Sequence, residues 1–447
     1  MKNRISPAVL RGSALSLAAM LALTACGGND DGGSAGEEVS ADDVQAALDE
    51  GGSITIWSWE PTLDTVVAAF EEEHPNVDVN LVNVGTGNDH YTALQNAIAA
   101  GSGVPDIAQL EYFSLPQFAL TDAVQDLSGY GAGDLQDTFN TGPWNSVQAN
   151  GGIYGLPMDS GPMALFYNQD VFEKLGVEVP TTWEEYVDAA RALHEADPSV
   201  YIANDTGDAG LATSLMWQAG GRPYQVDGTD VTINFSDEGS TKFTETWQQL
   251  LDEDLLAPIT SWGDEWYQGL GNGTIATLAT GAWMPANFES GVPAASGQWR
   301  AAPLPQWEDG ENVSAENGGS ALTITEASEQ GALAYAFLEY ANVGDGVQMR
   351  VDEGAFPATA ATLESEEFLS DEFEYFGGQP ANEIFAESAQ NVGEGWSYLP
   401  FQAYANTIFN DTAGQAYVSG TTLTEGLKNW QDASIRYGSE QGFTVSE

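Results

Sequence analysis

The chain has 447 residues, 42% of them hydrophobic, with 13 Trp, 16 Tyr and 18 Phe, which is ample for two large cores and excludes global disorder. Its 67 Asp and Glu stand against 11 Lys and Arg, a formal net charge of −56, and such a surface repels nucleic acid and anionic lipid. The single cysteine excludes disulfides within the chain.

A basic start (Lys2, Arg4, Arg11) leads into an apolar run from Ala14 to Leu23 and then Leu23-Thr24-Ala25-Cys26. The run is shorter than the roughly 18 residues a spanning helix needs, and small residues close it as they close signal peptides. Residues 1–25 are therefore read as an export signal. The Leu-Thr-Ala-Cys sequence resembles a bacterial lipobox, which implies that Cys26 carries lipid and anchors the chain to the outer face of the cell membrane. No twin-Arg pair is present, so the general export route is expected. Residues 26–50 are assigned to the anchor and a flexible tether rich in Gly, Asp, Ser and Glu, with Ala41–Glu50 a candidate short helix.

Ser53-Ile54-Thr55-Ile56-Trp57 alternates as a strand does. Pro61 then opens a helix whose Leu63, Val66, Val67 and Phe70 share one face. Val77, Val79 and Leu81 alternate as a second strand. Tyr91, Leu94 and Ile98 mark a helix stopped at Gly101, and Pro105 to Leu110 is a third strand. Strand, helix, strand, helix, strand with short connections predicts a parallel sheet covered by helices, and such sheets bind ligands at strand carboxyl ends. Trp57-Ser58-Trp59-Glu60, the Gly85-to-Asp89 loop and Glu111-Tyr112 all fall at those ends.

Further along, Thr182-Trp183-Glu184-Glu185 reads as a capping box before a buried stripe of Tyr186, Val187, Ala190 and Leu193. Phe243, Trp247, Leu250 and Leu251 form another helix face, as do Leu333, Phe337 and Tyr340. A last helix starts at Thr422 and buries Leu427 and Trp430. Trp183, Trp247 and Trp430 are accordingly assigned to cores.

Three of the 11 cationic side chains lie in the signal, so eight remain to hold any anion, and neutral ligands fit this chain best. The acid excess is read as adaptation to high salt, where a Debye length of roughly 3 Å at 1 M makes self-repulsion tolerable. The other reading of the acid surface, recruitment of cations or polyamines, fits less well with carboxylates spread along the chain.

Several segments in order resemble the family 1 extracellular solute-binding proteins, the maltose-binding-protein-like receptors of ABC sugar importers. These are Phe70-Glu71-Glu72-Glu73-His74-Pro75-Asn76-Val77, Leu94 through Gly101-Ser102-Gly103-Val104-Pro105-Asp106, Tyr154-Gly155-Leu156-Pro157-Met158-Asp159, Tyr167-Asn168, and Phe172-Glu173-Lys174-Leu175-Gly176. Pro180-Thr181-Thr182-Trp183-Glu184-Glu185-Tyr186, Thr280-Gly281-Ala282-Trp283, Pro303-Leu304-Pro305 and Gly318-Gly319-Ser320 continue the series. The resemblance implies an α/β fold of two doubly wound lobes joined by crossing strands, a periplasmic-binding-protein-like hinged trap. It places crossings near Asp159-Ser160, Arg300-Ala301 and Gly354-Ala355, and so an N-terminal lobe of 51–160 with 301–354 and a C-terminal lobe of 161–300 with 355–447. It further implies a monomer that delivers a neutral mono- or oligosaccharide to ABC permease subunits, with no cofactor and no metal.

A sugar offers hydroxyls, which want bidentate acceptors and donors, and a C–H face, which wants a flat aromatic. Trp57 and Trp59, two apart at a strand end with Glu60 beside them, are each read either as a stacking surface or as core. Trp283 matches the position where the resembled family stacks a Trp on sugar. Glu111 and Asp159 follow strand ends and are read as hydroxyl acceptors or as solvated carboxylates. Asn88, Trp262, Asn317, Phe356 and Trp396 are candidates by loop position alone.

Catalytic motifs are missing: there is no His-Glu-x-x-His, Gly-x-Ser-x-Gly, phosphate-binding Gly-x-x-x-x-Gly-Lys, or cysteine pair. The chain is read as a binding protein and not as an enzyme. The alternatives are a receptor for polyamine or another small solute, and a secreted glycoside hydrolase, which needs two carboxylates about 5 to 10 Å apart.

Overall fold

A computed structural model describes residues 39–447; the expected signal at 1–25, Cys26 and the first part of the expected tether lie outside them. No described helix is long and apolar enough to cross a membrane. The candidate helix at Ala41–Glu50 forms with those bounds as α1, so the tether expected over 26–50 does not extend past Ser40; α1 opens with a reciprocal box in which Asp43 N–H donates to Ser40 Oγ and Ser40 N–H donates to the Asp43 carboxylate. Val44 docks it on the first core.

The first lobe starts with β1 (Gly52–Trp57), α2 (Leu63–Glu73), β2 (Val77–Val82), α3 (Asn88–Ala100) and β3 (Ile107–Glu111). The alternation in β1 buries Ile54 and Ile56, and the α2 stripe of Leu63, Val66, Val67 and Phe70 is buried with them. Each such side chain contributes about 1.5–3 kcal/mol by leaving water. Gly101 ends α3 in the left-handed region at φ +62, where a side chain would be strained. Helices α4 (Leu115–Leu120) and α5 (Thr141–Ser146) and the short strand β4 (Leu156–Pro157) follow.

The second lobe contains β5 (Met163–Asn168), α6 (Trp183–Ala196), α7 (Ala209–Gln218), α8 (Glu238–Asp252), β6 (Thr277–Gly281) and β7 (Trp299–Pro303). The chain then returns to the first lobe as β8 (Ser320–Ile324), α9 (Gly331–Asn342) and α10 (Gly346–Asp352), and α11 (Leu423–Glu440) closes the second lobe. The first sheet has the order β2-β1-β3-β8-β4, with β1, β2 and β3 parallel and β8 antiparallel to its neighbours. In the second lobe β6 and β7 flank β5, both antiparallel to it. Trp183, Trp247 and Trp430 are buried in that lobe, as their helix stripes predict.

Three extended segments cross between the lobes side by side. Asp159 bridges to Pro357, and Pro162 bridges to Glu316. The middle crossing differs from the expected Arg300-Ala301. Those residues lie inside β7, in register with Tyr167 and Phe166, and Trp299 and Ala301 point into the second lobe's core. The return therefore runs through Glu316 to Ser320, and the expected lobe boundary at 301 falls within a second-lobe strand.

Candidate functional site

The strand order brings one edge of the first sheet to the crossings. β1 and β3 end there at Trp57 and Glu111, and Ser320 at the start of β8 lies opposite Glu111. Buried Gln109 holds this edge together. Its side-chain oxygen accepts from Ser58 Oγ at 2.6 Å and from Trp59 N–H at 3.1 Å, while its amide donates to Ser320 Oγ at 3.0 Å. Trp59 is thereby fixed edge-on to His90 and Tyr91, and Trp57 meets His90 edge-on at 6.3 Å. Both Trp rings are half-buried, each packed on the first core with part of its surface exposed. His90 is fully buried, and that burial lowers its imidazole to about 4. Glu60 turns inward to accept from Thr62 N–H and Oγ1 at the start of α2. Asn88 sits exposed on the first turn of α3.

The Tyr91 hydroxyl donates to Glu111 Oε2 at 2.6 Å. Burial pushes the Glu111 carboxyl up to about 7, the Tyr91 bond opposes this, and the charge of Asp159 adds to it. Asp159, on the first crossing, accepts from Ser320 N–H and Oγ, and burial pushes it up to about 6. Its backbone carbonyl accepts from the Tyr112 hydroxyl at 2.6 Å. Arg350, 3% exposed on α10, supplies the opposing charge for Asp159 and Glu60. Glu316, 1% exposed on the middle crossing, accepts from Ser160 Oγ and from Gly161 N–H at 2.6 Å, and burial raises it to about 7.

On the second-lobe side, the carboxyl end of β6 delivers Trp283. Its indole Nε1 donates to the Asn317 carbonyl at 2.6 Å, and its ring lies 5.7 Å from that of Trp262 at 31°. Gly318 lies so close that a Cβ there would stand 2.7 Å from Trp283 Nε1, and Gly281 approaches the same indole. Trp262 is 52% exposed and held at φ +70, a conformation a bulky residue adopts only against strain. The two rings border a cavity of about 110 Å³ with Thr280, Asn317, Asp205 and Asp208. The Asn317 amide donates to Ser214 Oγ, and Asp205 is fixed by Trp247 Nε1 at 2.9 Å and Gly207 N–H at 2.8 Å. Burial pushes Asp205 up to about 6.

Two candidates lie elsewhere. Phe356 is 5% exposed and packs edge-on to Phe368 and Phe385 in the second lobe's core, so it is a core residue and its loop position misled. Trp396 stacks on Trp217 at 5.1 Å and 4°, beside a larger cavity of about 420 Å³. Sequence reasoning missed Asp205, Asp208, Ser214, Glu316, Arg350, Trp217 and Tyr398. Asp208 is the cap of α7, accepting from Leu211 N–H, and an Asp before an apolar helix could have flagged it. The others lie on crossings or inside helices and loops where no periodic signal marks them. Among the described residues no cluster of His, Cys, Asp and Glu could hold a metal ion.

Residues 57–342 match the family model for bacterial extracellular solute-binding proteins. The arabinooligosaccharide-binding protein of Halalkalibacterium halodurans is 25% identical over 88% of this chain and 90% of its own length. The lactose-binding protein of Rhizobium radiobacter is 26% identical over 85% and 92%. Among solved structures, the ABC-transporter-associated binding protein of B. animalis subsp. lactis in complex with β-1,6-galactobiose superposes with a TM-score of 0.81 at 44% identity, covering 88% of this chain and 99% of that one. The galacto-N-biose/lacto-N-biose I-binding protein of Bifidobacterium longum, with lacto-N-biose bound, gives a TM-score of 0.78 at 28% identity over 89% and 99%.

Proposed function

Because the chain belongs to the bacterial extracellular solute-binding proteins, we propose that it is the substrate-binding component of an ABC importer and captures a neutral oligosaccharide between its lobes. The observation that carries this reading is the pairing of two inclined indoles, Trp262 and Trp283, with the hydrogen-bonding groups of Asn317, Thr280, Asp205 and Asp208 around one cavity. Indole faces take the C–H side of a pyranose, and carboxylates and a carboxamide take its hydroxyls. Trp59, Glu111 and Asp159 stand on the first-lobe side, and Asn317 lies on a crossing between the lobes. Closure about the three crossings would bring the two walls onto opposite faces of one ligand and expel water from its hydroxyls.

In this reading the crossings at 158–162, 316–320 and 354–358 are the hinge, the closed form is what the permease receives, and the sugar leaves unaltered. The exported monomer is held at the outer face of the cell membrane by lipid on Cys26. Acyl chains contribute about 0.8 kcal/mol per buried methylene, so more than one chain on that residue gives a lasting anchor.

The test is a calorimetric and Trp-fluorescence titration of residues 39–447 in high salt with β-1,6-galactobiose, lactose, arabinobiose, maltose and spermidine, followed by recovery of the ligand. Saturable binding of one intact sugar supports the receptor. Response to spermidine alone would move the assignment to a polyamine receptor, and a cleaved sugar would move it to a hydrolase.

A further inference from the structure

The larger cavity, about 420 Å³, lies between the lobes and is distinct from the Trp262/Trp283 cavity. The first lobe contributes Pro116 and Leu120 from α4 together with Asn140 and Asn145 around α5. The second contributes Trp217 at the end of α7 and the segment from Gln390 to Pro400. Its volume falls within the range of about 300–1,000 Å³ usual for small-ligand sites.

Three features of this cavity point to one class of ligand. Its aromatic floor is built: Trp217 is 4% exposed, its indole N–H is satisfied by the Gly393 carbonyl, and Trp396 lies flat on it. Its walls are amides and hydroxyls. Asn140 Nδ2 is buried without a hydrogen-bond partner, and Trp396 Nε1 lies near the Tyr398 hydroxyl without a well-formed bond to it. Finally, in a chain where 67 of 447 residues are acidic, Glu394 is the one Asp, Glu, Lys or Arg in the lining. A cation would find a single carboxylate there and an anion no cationic side chain, whereas a neutral polyhydroxylated ring would find a flat apolar face and unpaired donors.

The cavity also adjoins the cleft. Pro116 lies on the helix that begins four residues after Glu111. Tyr398 packs against both cores and is close enough to Glu316 and Glu111 to feel their charges. A Cβ on Gly142, at the start of α5, would stand 3.1 Å from Glu316 Oε1.

We propose that the cavity formed by Trp217, Trp396, Tyr398 and Asn140 is a second sugar-binding region that takes a further ring of the oligosaccharide held at Trp283, so that the preferred cargo has at least three rings. This rests on the receptor reading above. The Trp217/Trp396 stack takes the added ring's C–H face, and Asn140 donates to one of its hydroxyls.

The experiment compares matched di- and trisaccharides, β-1,6-galactobiose with galactotriose, arabinobiose with arabinotriose, and maltose with maltotriose, by calorimetry on the wild type and on Asn140→Ala and Trp396→Ala. In the series that binds, the trisaccharide is expected to bind at least tenfold tighter than the disaccharide, and in both variants that ratio falls toward one. A merely structural role for these residues would weaken both sugars alike and leave the ratio intact. Equal di- and trisaccharide affinity in the wild type, or a ratio that survives both substitutions, overturns the second region while leaving the receptor in place. Absence of binding by all six sugars overturns both.

Discussion

Trp262 combines a half-exposed indole with a left-handed backbone, and a fold has no reason of its own to keep such a pairing. Replacing it with Ala should cost less than about 1 kcal/mol of stability, since little is buried and the left-handed strain, which comes from the Cβ, is the same for both residues. The same change should weaken sugar binding by about tenfold, close to 1.4 kcal/mol for a lost aromatic contact. Unchanged affinity in a titration of the variant would remove Trp262 from the site. Glu316 carries a prediction about pH. Its folded-state value is raised to about 7 from an ordinary 4.5, so between those limits the folded state binds more protons than the unfolded chain. Stability therefore falls as pH rises from about 4.5 to 7 and levels off above. Asp159, raised to about 6, acts in the same direction over a lower window. Glu111, raised to about 7, and Asp205, raised to about 6, add to the decline, while His90, lowered to about 4, opposes it below about pH 6.5. Melting curves from pH 6.5 to 8 should show the decline, and Glu316→Gln should make it shallower, whereas a variant with the wild-type slope would locate the titration in the other carboxyls.

At the scale of elements, the crossings depend on glycines that admit close neighbours. Gly319 sits at φ +91, and a Cβ there would meet the Tyr112 ring at 2.5 Å, the ring whose hydroxyl binds the Asp159 carbonyl. Gly319→Ala should lower stability by about 2 kcal/mol through backbone strain and overpacking, read as a fall in melting temperature; an unshifted melt would mean the crossing yields easily. Elements with a strong period were legible from the chain alone, as in α2, α6 and α11, because one buried stripe determines both helix and facing. The crossings were less so. Short extended segments carry no period, and the alternating burial of β7 is indistinguishable in sequence from a passage between lobes. For the same reason the strand-end residues Trp59 and Glu111 could be picked out, whereas Glu316, Arg350 and Trp217 could not. Phe356 shows the converse error, an aromatic in a loop that turns back into the core.

For the whole molecule, the acid excess governs behaviour in solution. Of the eight cationic side chains in residues 26–447, Arg191, Lys242 and Lys428 form surface ion pairs with acids, and such pairs contribute about 0–1 kcal/mol each. The remaining repulsion is long-ranged at 0.1 M salt, where the Debye length is about 10 Å, and short at 1 M, where it is about 3 Å. The melting temperature should therefore rise between 0.1 and 2 M KCl, and a flat profile would refute salt adaptation as the meaning of the charge. The sheet order has a different consequence. Strand β4 joins the first sheet only through β8, and β8 begins at Ser320, after β5, β6 and β7 of the second lobe have all been made. At about 5–20 residues per second of synthesis, that interval lasts roughly 10–30 s. Throughout it the ribosome has released nearly all of one lobe without the strand that completes its sheet, so a finished domain cannot form ahead of translation, and a chain bound for export stays threadable until its synthesis is far advanced.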